Sequence, residues 1–161
     1  MAEKIDLEIL KKQFETAKER YSLPEFSKLN EDFDIERLQE KDTDLLVREI
    51  RRLVVEKNMA YLRFVEMFMN PSQAPMFFLS LVKNLSVQDT KFLEELYSKL
   101  GKYEILSLEL DNEYSEAKEA EFIKKFFVEW QNVKKTVAGF LGKLRDSWDK
   151  KAVRSDKGYL G

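Results

Sequence analysis

The sequence predicts an all-α protein: a single-domain helical bundle of five to seven helices, with a long central helix and a long C-terminal helix. Three observations carry that expectation. Only five Gly and three Pro occur in 161 residues, too little turn material for the reversals of an all-β chain. Apolar residues make up 43% and charged residues 36%, too apolar for a disordered chain and more charged than an average globular one. Apolar side chains also recur at intervals of three and four over long runs, the period of a helix face. The expected domain covers residues 1–151, with a flexible tail over 152–161.

The elements follow in order. Leu7, Leu10, Phe14, Ala17 and Tyr21 share one face of a helix from Ile5 to Tyr21. Leu23-Pro24 ends it, because a residue before proline avoids the α region. The stretch from Pro24 to Lys41 is less regular. One short helix could begin at Pro24 and another near Asp34, or the segment could wrap across the core. Asp42-Thr43-Asp44 offers an N-cap and favourable negative charge for a helix running to about Met69. Its apolar sector is wide: Leu46, Ile50, Leu53, Tyr61, Phe64 and Phe68, extended by Val47, Val54, Leu62, Val65 and Met69. Such a helix is contacted from several sides.

Asn70-Pro71 stops that helix, and Ser72 is placed to cap the next, with Pro75 in its first turn. The run from Met76 to Leu85 is apolar on nearly all sides and reads as the second arm of a buried hairpin. Ser86 opens a capping-box pattern with Asp89. A helix follows to Leu100, with Phe92, Leu93, Leu96, Tyr97 and Leu100 inward and Gly101 as its stop. Tyr103 to Leu110 fits a helix, although an extended reading is open. After Ser115, Ile123, Phe126, Trp130, Val133, Val137, Phe140 and Leu144 alternate at three and four through to about Lys150. At 1.5 Å per residue this helix is roughly 50 Å long. It either projects for partner contact or bends near Gly139 and Gly142.

Composition excludes much chemistry. There is no Cys and no His. Thiolate nucleophiles, disulfides, cysteine zinc sites and every Ser-His or Cys-His arrangement are therefore ruled out. No enzyme activity and no cofactor are expected. Met1 to Leu10 lacks the apolar stretch of a signal peptide, and no run approaches 18 uncharged apolar residues. The expected location is cytoplasmic, without a membrane.

Charge is uneven along the chain. Pro24 to Asp44 has eight acids against three bases, Glu104 to Glu121 has seven acids against one base, and Lys124 to Lys157 has ten bases against four acids. Four candidate sites follow. Glu109, Asp111, Glu113, Glu116, Glu119 and Glu121 could hold a hard cation such as Mg²⁺. Only the loose pair Glu36 and Glu40 offers matching carboxylates on another helix, so a solvated acidic face is the simpler reading. Lys124, Lys125, Lys134, Lys135 and Lys143 could contact nucleic-acid phosphates, although Trp130 and Trp148 point away from them. Phe126, Trp130, Val133, Val137, Phe140, Leu144 and Trp148 form a candidate partner surface on a helix longer than its body needs. The same stripe resembles a basic amphipathic surface helix, but burial against neighbouring helices explains it better. Met69, Met76, Phe77 and Phe78 form a candidate hydrophobic groove, since Met-rich surfaces repack around varied partners. The expected function is a non-catalytic protein–protein interaction or scaffold protein that self-associates. The alternative is a nucleic-acid-associated accessory protein using the basic face of the C-terminal helix.

Overall fold

In the computed structural model, which describes residues 6–158 and side chains through Lys151, six α-helices follow one another. They are α1 (Leu7–Tyr21), α2 (Phe26–Phe33), α3 (Leu46–Met69), α4 (Met76–Val82), α5 (Val87–Asn112) and α6 (Glu116–Gly158), with 3₁₀ helices at Ile35–Glu40 and Pro71–Gln73. No strand occurs among the described residues. The chain is all-α, with a long central helix and a long C-terminal one.

The helix ends follow from local chemistry. Asp6 caps α1 by accepting the Glu8 N–H at 3.3 Å. Ser22 closes α1, and Asp34 closes α2, each with φ 55° in the left-handed region. In each case the closing N–H returns to a carbonyl four residues back, Lys18 and Asn30 respectively. The capping box at the start of α5 forms in both directions. Ser86 N–H donates to Asp89 Oδ2 at 2.9 Å, and Asp89 N–H donates to Ser86 Oγ at 3.1 Å. Those bonds, the one from the Ser86 backbone foremost, hold the Asp89 carboxyl below its ordinary range. Ser115 Oγ likewise accepts the Lys118 N–H at the start of α6.

The chain divides into two compact units, Met1–Ala60 with Leu100–Trp130 and Tyr61–Lys99 with Gln131–Gly161. Helices α3, α5 and α6 supply a segment to each. The first unit buries Leu10, Phe14, Leu29, Ile35, Ile50, Val54, Leu100, Ile123, Phe126 and Trp130. Phe33 meets Phe126 at 5.9 Å and Trp130 at 6.2 Å, and Tyr103 stands edge-on to Phe126 at 4.9 Å. Lys57, on the apolar side of α3, lays its ammonium over the Trp130 ring at 5.9 Å. The second unit buries Leu62, Val65, Phe68, Leu81, Leu93, Leu96, Val133, Val137 and Phe140. Phe68 packs edge-on against Phe78 and Phe140, and the Phe92 ring lies tilted against Phe140.

Several expectations are corrected. Gly101 does not stop a helix: α5 continues through it to Asn112, so the run from Tyr103 to Leu110 is helical, with Ser107 and Leu110 buried. Tyr97 faces outward. Ser72 does not cap α4. Its hydroxyl bonds to Asn70 Oδ1 at 2.7 Å, and α4 opens directly after Pro75, whose carbonyl accepts the Phe78 N–H. Helix α6 is unbroken at Gly139 and Gly142 and runs to Gly158. A Cβ at either glycine would meet nothing within 4 Å, so neither marks a close contact. The side chains of the tail expected over 152–161 lie outside the described residues, as do residues 159–161 entirely.

Candidate interaction surface

Position on the helices separates the two candidate apolar surfaces. The stripe of α6 faces its neighbours. Phe126, Trp130, Val133, Val137 and Phe140 are all buried, and Leu144 is half-buried. The expectation of an open partner surface along this stripe is thus corrected. Its heptad period brings these residues onto the chain's own cores, against Phe33 and Tyr103 in the first unit and Phe68 and Phe92 in the second. Of the seven residues only Trp148 stays exposed.

The Met/Phe corner behaves in the opposite way. The buried hairpin expected there is half right: α3 is core, but α4 is a seven-residue helix with one buried residue, Leu81. Met76 is 82% exposed and Phe77 51% exposed, and Met69 and Leu79 are exposed as well. Phe78 is half-buried between Phe64, Phe68 and Phe77. The Phe77 ring also reaches Trp148 of α6 at 5.1 Å. A short helix gives few places to bury an all-round apolar sequence, so three large side chains of α4, Met76, Phe77 and Leu79, stay exposed.

Beside this corner lies an open groove of about 730 Å³ with Ser80 and Lys83 on one wall. The other wall is the face of α6 that carries Lys143, Asp146, Ser147 and Lys150 at helical spacing, with Lys151 next to it. Lys143 stands 3.5 Å from Asp89. The groove itself is polar, with four ammonium groups and one carboxylate, and the aromatic and thioether side chains lie in the corner next to it. Residues of the second unit carry twelve bases and seven acids, and those of the first carry sixteen bases and twenty-three acids.

The acidic cluster is not assembled as a cation site. No group of three or more metal-ligating side chains occurs among the described residues. Glu119 and Asp111 instead hold Arg51, a residue the sequence reading passed over. The Arg51 side chain is 1% exposed and Glu119 is 0% exposed. Arg51 Nε donates to Glu119 Oε2 at 2.6 Å and Nη1 to Ser107 Oγ at 2.9 Å, while Nη2 reaches Asp111 Oδ1. Burial works against the Arg51 charge, but the bonds to Glu119 and Asp111 outweigh it and raise the guanidinium above its usual value. The Arg51 bond in turn holds the Asp111 carboxyl below its usual range. Glu121 pairs with Lys124 and Lys125, and Tyr114 reaches Glu116.

A second buried polar residue, Asn58, donates its amide to the Leu100 carbonyl at 3.1 Å and to Glu104 Oε1 at 2.6 Å. Both residues were readable. Val47, Arg51, Val54 and Asn58 lie on one row of α3 at intervals of four, three and four, in the middle of its apolar sector. Polar groups in such a row are buried with partners.

The lysines weighed for nucleic acid are divided. Lys124 and Lys125 belong to the first unit and are paired with Glu121, whereas Lys134, Lys135 and Lys143 belong to the second. No helix among the described residues is long and apolar enough to cross a membrane. The fold and this surface place the chain among all-α helical proteins with an exposed apolar corner. No protein-family model, characterised protein or solved structure matches it.

Proposed function

We propose that this chain is a non-catalytic helical interaction protein whose contact surface is the exposed corner of Met76, Phe77 and Leu79 on α4 with Trp148 on α6. The observation that carries the reading is the exposure of Met76 and Phe77 side by side on one short helix, with Leu79 of the same helix exposed and the exposed Trp148 ring in contact with Phe77. Full burial of a Phe or Met side chain is worth about 1.5–3 kcal/mol, so a partner covering this corner gains what folding leaves unused. Clustered exposed aromatics and methionine are the composition of contact centres between proteins. The absence of His and Cys removes the imidazole base and the thiolate nucleophile from the chemistry open to the chain.

The test places a photoreactive phenylalanine analogue at Phe77 of the full chain, with the same analogue at exposed Val128 as control. Illumination in extract of the source cells is expected to give discrete protein adducts from position 77 and not from 128. Equal adducts from both positions, or none from 77, would refute the reading. The variant Phe77→Asp, which changes an exposed residue, is expected to keep the melting temperature within a few degrees.

A further inference from the structure

We propose that the occupant of the corner and its adjoining groove is a second copy of this chain, docking the acidic outer face of α5. The proposal rests on the reading of the corner as an interaction surface and names its partner. The argument starts from charge. A two-fold pairing of corner with corner would bring Lys83, Lys143, Lys150 and Lys151 of one copy against the same lysines of the other. Like charges across an interface are disfavoured, so the partner surface is apolar and acidic.

The chain carries such a surface elsewhere. On α5, Ile105 is 62% exposed and Leu108 66% exposed. They lie three residues apart and so share a face. Glu109 stands one turn after Ile105, Glu113 one turn further, and both are exposed. Within the acidic stretch from Glu104 to Glu121, Glu109 and Glu113 give this face its charge, since Asp111 and Glu119 hold Arg51 and Glu121 pairs with Lys124 and Lys125. Two aliphatic side chains in water within an acidic stretch match an aromatic and thioether corner beside four lysines, in both polarity and sign. Neither surface is explained by the packing of its own unit.

A contact between two different surfaces is heterologous. Each added copy leaves one free corner and one free α5 face, so growth continues unless a ring closes. This gives a test that a two-fold dimer cannot imitate. Light scattering after size exclusion over a concentration series is expected to show a mass that rises beyond twice the 19.1 kDa chain. Phe77→Asp and Leu108→Asp, each at an exposed residue, are each expected to be monomeric alone. Mixed, they are expected to form a one-to-one dimer that grows no further, because the first retains an intact α5 face and the second an intact corner. A second pair, Lys83→Glu with Lys150→Glu and Glu109→Lys with Glu113→Lys, serves if either aspartate variant fails to fold: each is expected to be monomeric alone, and the mixture is expected to regain association beyond a dimer, because the native and the charge-reversed contacts are both complementary.

A Leu108→Asp chain that still associates, a mixture that stays monomeric, or a wild-type chain monomeric at every concentration would each overturn the second-copy occupant. Adducts from position 77 on other proteins would then leave the corner as an interaction surface with a different partner. Sedimentation of the Leu108→Asp chain with vesicles containing anionic lipid, lost in Phe77→Asp, would assign the groove to a lipid surface and overturn the proposal as well.

Discussion

Arg51→Met is expected to cost about 3–4 kcal/mol. The figure follows from what the substitution leaves behind. Glu119 is wholly buried and takes two contacts from Arg51, at 2.6 and 3.4 Å. Removing one partner of a buried ion pair costs about 3–5 kcal/mol, since the remaining charge is uncompensated. Arg48 Nε, 3.8 Å from Glu119, offsets a part and places the expectation in the lower half of that range. Asp111, with its side chain 47% exposed, keeps Arg48 at 3.5 Å and access to water, so its loss adds under about 1 kcal/mol. At about 2–4 °C per kcal/mol for a chain of this size, the melting temperature falls by about 6–16 °C. The chain has two Trp residues. In a Trp148→Phe background, Trp130 alone reports the unit that holds the network. Arg51→Met with Glu119→Leu is expected to recover most of the loss, because apolar groups replace a buried pair at little or no cost. A single substitution costing under about 1 kcal/mol, or a double one as damaging as the single, would refute the reasoning.

Two further outcomes are expected. Gly101→Ala, Gly139→Ala and Gly142→Ala each add a Cβ that meets nothing within 4 Å. All three positions are helical, so each should stabilise by about 0.5–1 kcal/mol, and a lower urea midpoint for any of them would contradict the open space seen there. Stability should also fall in acid. Glu49 feels a desolvation that raises its carboxyl, but Lys41 and Arg52 outweigh it, so Glu49, Asp89 and Asp111 are all held below their ordinary values. Unfolded carboxyls titrate near pH 4, and the folded ones take up protons only at lower pH. Their contribution is therefore complete above about pH 4.5 and is lost as pH falls through the native values. With no His, the urea midpoint should be flat between about pH 5 and 7, and a midpoint unchanged down to pH 3 would count against these ion pairs.

The helices were legible because their signals are local. The three-and-four spacing of α6, the Ser86–Asp89 box and the proline at position 71 each specify backbone within a few residues. Gly101 misled because one glycine costs a helix only about 1 kcal/mol, less than the packing of Ser107 and Leu110 returns. The surfaces were less legible. Periodicity shows that Phe126 to Trp148 share a face, but not what meets that face. The same limit explains α4, whose apolar sequence reads as core although only Leu81 finds cover. Burial is decided by distant segments, and Arg51 shows it most clearly: its partners Ser107, Asp111 and Glu119 lie 56 to 68 residues away in sequence.

Asn58 has a dynamic consequence. Apolar rows on packed helices are smooth, and helices can shift past one another by a turn, about 5.4 Å, when nothing marks the correct position. The Asn58 amide holds α3 to α5 at one setting through the Leu100 carbonyl and Glu104. After a one-turn slip it would stand among hydrocarbon with orphaned donors, each costing about 1–3 kcal/mol. A single amide thus pegs the sliding coordinate of two helices, and the first unit should move by opening rather than by shear.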